Sequence, residues 1–393
     1  MPDVLAQEPQ RSPTWVWVVG ALIAAGVVGL AIQRASRPTA PVALPSSPPS
    51  ASASPATAST CGDVELPVID VGPAPTGTRL RLLVGDRDLR VVDVDAGTTR
   101  QVTSPARLGQ AKVVSSLARR DGRVFAVVSG ACGGDGLGEG HVVEADPTTG
   151  RLTPAGRGDE ILPGTPATAL EYDAPNSRWL VRRLAGGRAT ALPADQPFPL
   201  AAAGSSYVLA VAGRQRLVPP TIGLGDAATG RLTRSFGTGN PVAASEHGVF
   251  WTAGDCLQRC LLTHTELAGV DTAQSVRAAP CCGTVSPDGR WLAFRLPRTT
   301  GRLGPHPGPP SEVAVLDSLT GYLQVLPGLL LPAKAPTTFA WSADSRWLAI
   351  GADLGTTPLV LLWREGMERP ARVPVESPAG GTAGAPALAV LAR

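Results

Sequence analysis

The spacing of apolar residues divides the chain into three stretches. Trp15 to Ile32 reads WVWVVGALIAAGVVGLAI, eighteen residues without a charge. As a helix they rise about 27 Å, close to the ~30 Å hydrocarbon thickness of a bilayer. A helix apolar on every face and followed by low-complexity sequence has no core to enter, so the pattern predicts one transmembrane helix over 13–33. Trp15 and Trp17 stand where amphipathic rings favour the membrane interface, and Gln33-Arg34 closes the other end. A cleaved signal peptide is the competing reading. Its apolar region normally runs to about 7–15 residues before a small-residue cleavage site, whereas Gln33, Arg34 and Arg37 follow here, which favours an uncleaved signal anchor behind a short cytoplasmic tail over 1–12. Residues 36–60 contain only Pro, Ala, Ser, Thr, Val, Leu and one Arg, so 34–60 reads as a disordered linker, a stalk between anchor and head.

Beyond Asp63 the pattern changes to short apolar runs with alternation, each bounded by Asp-Gly, Thr-Gly, Gly-Gly or Pro. That is the pattern of many short strands joined by tight turns, and it predicts an all-β head over 61–393. The segment TVSPDGRWLAFRLP (284–297) returns 56 residues later as AWSADSRWLAIGAD (340–353). Each copy is followed by a strand pair, EVAVLDSLTGYLQVLP (312–327) and PLVLLWREGMERPARVPV (358–375). Strand, turn, strand, loop, strand, turn, strand is one blade of a β-propeller. In WLAF the alternation sends Trp291 and Ala293 to one face and Leu292 and Phe294 to the other, as expected of a sheet packed between two neighbours.

SPDGRWLAF followed by EVAVLDSLTGYLQVL resembles the repeat of TolB-type, WD40-like β-propellers. The resemblance is strongest over 283–375, and weaker copies cover 79–103 and 117–156, with degenerate ones at 169–193, 205–236 and 247–267. It implies a seven-bladed propeller, with six or eight blades as the alternatives. The Gly-His and Trp-Asp pairs of true WD40 repeats do not recur here: Gly-His occurs once, at Gly140-His141, and Trp-Asp is absent. The first copy lacks a fourth strand, while ALAVLAR (387–393) is a strand without a blade. The expected closure pairs 386–392 with the first blade, removing two exposed edges.

Composition agrees with this outline: 45 Gly and 39 Pro exclude a long helical bundle, because Pro removes a backbone donor and clashes with the preceding turn. Charged residues are 17% of the chain, the net charge is +3, and the arginines are scattered, so no electrostatic footprint for nucleic acid is present. Charge on the two sides of the apolar helix is balanced and leaves its orientation open. Cysteine usage tips it outward: Cys61, Cys132, Cys256, Cys260, Cys281 and Cys282 all follow the stalk, an even number suited to disulfides outside the reducing cytosol. Blade position suggests bridges linking Cys256 and Cys260 to Cys281 and Cys282, with Cys61 and Cys132 as a third pair. A four-cysteine zinc site and a vicinal Cys281–Cys282 bridge are the alternatives, the former weakened by the poor chelate spacing of adjacent cysteines.

No linear motif announces a reaction. His141, His247, His264 and His306 have no ligand-spaced partner, and G-x-S-x-G and P-loop patterns are absent. The glycine-rich loop 130–141 holds Asp135, Glu139 and His141 without calcium-loop spacing, and the Pro-rich loop 296–310 reads as an excursion between strands. Trp179, Trp291 and Trp347 recur at one repeat position, as packing residues do. No catalytic residue, cofactor or metal ligand is assigned. The expectation is a single-pass cell-membrane protein, held in the lipid bilayer through 13–33, whose extracytoplasmic propeller binds an envelope protein or glycan. The competing class is a propeller-type hydrolase or lyase with its site in the central channel.

Overall fold

The computed structural model describes residues 69–391, apart from 104–111, 131–139, 185, 194–196, 213–217, 254–258, 299–309, 333–335, 354–357 and 377–384. The expected transmembrane helix, the stalk, Cys61, Cys132, Cys256 and His306 lie outside the described residues. No helix among the described residues is long and apolar enough to cross a membrane.

Short alternating runs and tight turns produce seven small antiparallel sheets. Blade 1 comprises β1 (Arg81–Gly85), β2 (Leu89–Asp93) and β3 (Thr98–Thr103), and blade 2 comprises β4 (Lys112–Arg120), β5 (Arg123–Gly130), β6 (His141–Ala145) and β7 (Leu152–Arg157). Blade 3 is built on β8 (Glu160–Ile161), from which the two-residue β9 (Gly164–Thr165) crosses to the next sheet, then β10 (Thr168–Asp173), β11 (Arg178–Arg183) and β12 (Thr190–Ala191). Blade 4 holds β13 (Pro197–Ala203), β14 (Ser206–Val211), β15 (Thr221–Asp226) and β16 (Arg231–Thr238), with β9 added in parallel to β13. Blade 5 holds β17 (Asn240–Ala244), β18 (Gly248–Thr252), β19 (Cys260–Glu266) and β20 (Asp271–Val276). Blade 6 holds β21 (Cys281–Val285), β22 (Trp291–Pro297), β23 (Ser311–Asp317) and β24 (Leu323–Leu331). Blade 7 holds β25 (Thr337–Trp341), β26 (Leu348–Asp353), β27 (Pro358–Trp363) and β28 (Ala371–Val373).

The C-terminal strand β29 (Ala387–Leu391) completes blade 1 by pairing antiparallel with β1, Arg81 opposite Leu391 through Gly85 opposite Ala387. The expected closure is therefore present, and the blade count is seven. The degenerate copies differ in extent from their sequence outlines. Blade 5 begins at Asn240 and ends at Val276, and the first and last strands of blade 3 are two residues each.

The buried apolar residues form seven clusters, one at each interface between neighbouring blades. Alternation supplies both sides of each interface. Trp291 and Ala293 face blade 7, and Leu292 and Phe294 face blade 5. In β29, Leu388 and Val390 pack toward blade 7, and Ala387, Ala389 and Leu391 toward blade 2. The inner strands are β29, β4, β8, β13 with the two-residue β9 on its inner edge, β17, β21 and β25, which surround the central channel.

The turns explain why the repeat was visible. In SPDGRW the Ser286 hydroxyl accepts the Trp291 N–H at 2.8 Å and donates to Asp288, and Gly289 takes φ +78°. In SADSRW the Ser342 hydroxyl accepts the Trp347 N–H at 2.9 Å and donates to Asp344, and Ser345 takes the same left-handed place at φ +58°. Ser345 also joins the blades, its hydroxyl accepting the Asp288 N–H at 3.0 Å. At the outer turns Asp146, Asp226 and Asp317 each accept a backbone N–H two residues on, and Gly150, Gly230 and Gly321 close the loop at positive φ.

Ser286→Ala leaves the buried Trp291 N–H unsatisfied, and a destabilisation of about 1–3 kcal/mol is expected. Ser286→Thr keeps the hydroxyl and should recover most of that loss; urea denaturation of the two variants measures both.

Candidate functional site

The described cysteines form no disulfide with one another, which corrects the expected bridges from Cys260 to Cys281 and Cys282. Cys260 opens β19, the third strand of blade 5, and is buried among Phe250, Leu262 and Phe294 at the blade 5–6 interface. Cys281 opens β21, the innermost strand of blade 6. The two positions share a face of the ring but differ radially by two strand spacings, about 10 Å, more than a disulfide spans. Cys281 and Cys282 instead lie side by side, their sulfurs 2.8 Å apart.

The histidines are dispersed. His141 is exposed at the start of β6, and His247 sits in a turn with Nε2 2.7 Å from the Pro287 carbonyl. His264 is buried with its ring stacked 4.1 Å from that of Phe250, and burial pushes its pKa down. Trp179 packs against Tyr172 and Phe198, and Trp347 is buried under Arg364.

Along the channel, the described inner strands bring one carboxylate, Glu160 of β8. Its surroundings push its pKa up, first by desolvation and then by the neighbouring charge of Asp159. Where the inner strands turn outward, Thr165 donates to the Glu246 carboxylate, and Arg120 donates to the Leu162 carbonyl at 3.2 Å. Burial lowers the pKa of Arg120, against the opposing pull of Glu246 and Asp121.

A groove of about 580 Å³ lies at the turn end of blades 6 and 7. Its floor is Trp291 and Trp363, whose ring centroids lie 6.3 Å apart at 75°. Tyr322, Gln324 and Met367 form one wall, and Arg290, Glu365 and Glu368 form the rim. The Arg290 guanidinium lies 4.4 Å over the Trp291 ring and forks onto Asp317, at 3.1 and 2.7 Å. Its Nη2 is also 3.9 Å from Glu365. Burial raises the Asp317 pKa, but the Arg290 and Leu319 hydrogen bonds outweigh it and hold the carboxyl below its ordinary value. The paired Asp317 leaves Arg290 locally neutralised, so the two exposed glutamates give the rim an acidic cast.

The tightly paired charge fixes the shape of the groove, and the tryptophans give it an apolar base. Tyr322 is 63% exposed, and Leu319, beside it in the same turn, is 70% exposed. The chain enters the head nearby, with Ile69 bridging to Leu329, Gly72 to Ala371, and Asp70 ion-paired to Arg369 at 2.7 Å. Trp291 packs at 8% exposure, as its recurrence at one repeat position predicts, and it also lies beneath the groove, a second role that the repeat pattern does not show. A signal was present. The turn Asp317-Ser-Leu-Thr-Gly-Tyr322 puts apolar side chains where Asp146-Pro-Thr-Thr-Gly-Arg151 and Asp226-Ala-Ala-Thr-Gly-Arg231 carry polar or small ones.

Fold and closure define the class: a seven-bladed β-propeller of four-stranded blades sealed by its last strand. Its fold is similar to TolB from Acinetobacter baumannii, 13% identical over 81% of this chain and 68% of that one, with a TM-score of 0.45. It is similar also to a protein described as TolB from Agrobacterium tumefaciens, 12% identical over 79% and 98% with a TM-score of 0.35. An oligogalacturonate lyase in complex with manganese is 12% identical over 77% and 97%, with a TM-score of 0.47. No family model and no curated protein matches the chain. At such identities the likeness is one of fold.

Because the Asp317 pKa is depressed in the folded protein, the pair's contribution is present above the unfolded value of about 3.9 and fades as pH falls through the lower folded value. Asp317→Asn should remove that part of the acid dependence, so the urea midpoints of variant and parent converge as pH drops below about 4. Midpoints that stay equally far apart throughout would contradict this.

Proposed function

We propose that this chain is a membrane-anchored binding head, held in the bilayer by residues 13–33, carried outside the cytoplasm on the 34–60 linker, and docking an envelope protein through the groove between blades 6 and 7. The observation that carries the reading is the groove itself: a Trp291–Trp363 floor beside the exposed Tyr322, rimmed by Glu365 and Glu368. Tyr322, exposed on a rigid turn, offers contact area at small conformational cost, and such residues dominate binding energy at protein interfaces. The chemistry suits a peptide segment that lays an apolar side chain against Tyr322, over the buried tryptophans, and a basic one against the glutamates. The uncharged 15–32 stretch supports the anchor.

The test is a photo-crosslinking amino acid placed at Tyr322 in the full chain in its native membrane, with the same group at exposed Val270 on blade 5 as control. A discrete protein adduct is expected from position 322 alone, lost when Met367→Arg fills the groove with a cation. In parallel, the chain should stay with the membrane after an alkaline wash, and deletion of 13–33 should release it. Equal adducts from both positions, or a chain that washes off intact, would overturn the corresponding half of the reading.

A further inference from the structure

The inner strand of blade 6 begins with two cysteines whose side chains meet, which a regular strand forbids, because adjacent side chains point to opposite faces. The ladder between β21 and β22 is broken there. Cys281 stands opposite Arg295 and Thr284 opposite Ala293, so Cys282 and Gly283 form a bulge. Cys282 takes φ +56°, the left-handed region that residues with a Cβ seldom enter. Gly283 sits in a tight place, since a Cβ would lie 3.0 Å from Leu292 Cδ1 and 3.1 Å from the Ala293 carbonyl oxygen, and those neighbours would have to give by a few tenths of an ångström. The bulge thereby turns both cysteines to one side, with the sulfurs 2.8 Å apart.

The surroundings suit a thiolate. Cys282 is exposed, at the end of an inner strand where the channel opens. Of the strands packed on β21, β17 (NPVAA) and β25 (TTFAW) carry no titratable side chain, and β22 brings Arg295, whose positive charge favours ionisation of both thiols. One proton shared between the sulfurs eases loss of the first and opposes loss of the second. The hydrogen bond between the two sulfurs brings Cys282 down to about 7, while the Cys281 thiol is pushed far up, chiefly by that same bond and then by burial.

We propose that Cys281 and Cys282 form a thiol–disulfide exchange centre whose substrate is an accessible disulfide, RSSR. The Cys282 thiolate attacks one sulfur of RSSR, the S–S bond breaks, and RS⁻ leaves, giving a mixed disulfide on Cys282. Cys281 then attacks the Cys282 sulfur, a second RS⁻ departs, and the two leaving thiolates take up the protons of the pair. The cysteine pair loses two electrons and two protons, and RSSR becomes two RSH. This inference stands on the bulge and the sulfur geometry, and is independent of the groove and of the anchor.

The probe is oxidised glutathione added to the pre-reduced full chain in detergent, with peptide mass spectrometry assigning the product at each cysteine. In the parent, the 281–282 peptide should lose two hydrogens and retain no glutathione. Cys281→Ser should trap glutathione on Cys282, and Cys282→Ser should react roughly tenfold or more slowly. A pH profile of iodoacetamide labelling on the unaltered chain needs no variant. Cys282 should gain reactivity through about pH 7 and Cys260 should not. Glutathione appearing first on another cysteine, no trapped adduct in Cys281→Ser, or a Cys282 labelling midpoint at the ordinary thiol value of about 8.5 would each overturn the proposal.

Discussion

Every blade is apolar on both faces, and that one fact governs the head. A four-stranded sheet with Leu292 and Phe294 on one side and Trp291 and Ala293 on the other has no stable existence alone, because both faces must be covered. A row of such sheets would still leave two faces and two edges open at its ends. Closing the row into a ring removes both, and the ring closes through β29. Five residues therefore seal the edge of β1 while sending Leu388 and Val390 into one interface and Ala387, Ala389 and Leu391 into the next.

The closed ring gives the two sites their different characters. The groove lies between blades 6 and 7, so the distance between Trp291 and Trp363 is set by the packing of one blade on its neighbour, with Arg290 clamped to Asp317 at the lip. The cysteine pair lies on an inner strand, where the chain can break its ladder without losing the interface, since Thr284 and Val285 pair again directly after the bulge. Packing shapes the first site and local backbone geometry shapes the second.

How far the sequence revealed these features follows from how local their causes are. Blades 6 and 7 were legible because the Ser-x-Asp-x-Arg-Trp turn needs its serine, aspartate and left-handed residue at fixed spacing to satisfy the buried Trp291 and Trp347 N–H groups. The closing strand was legible as a lone apolar run facing a blade one strand short. Blade 3 showed only as the degenerate copy at 169–193, which covers β10 to β12, because β8 and β12 are two residues long and too short to alternate, and the crossing of β9 into blade 4 depends on tertiary packing. The groove unites Trp291 with Trp363, 72 positions apart, and only the ring brings them together. The cysteine pairing failed for a related reason. Cys260 and Cys281 do share a face of the ring, but the radial offset between a third strand and an innermost strand is invisible along the chain.

The central claim is that the fold is a closed ring whose stability is communal and whose closure is the β1–β29 ladder. Amide hydrogen exchange, read by mass spectrometry on the full chain and on a chain lacking residues 385–393, tests it most directly. The account predicts that the truncation strips protection from β1 and carries the loss into both flanking interfaces, reaching β26 and β27 of blade 7 and β4 and β5 of blade 2. Protection lost in β1 alone, with blades 7 and 2 exchanging as slowly as before, would contradict it.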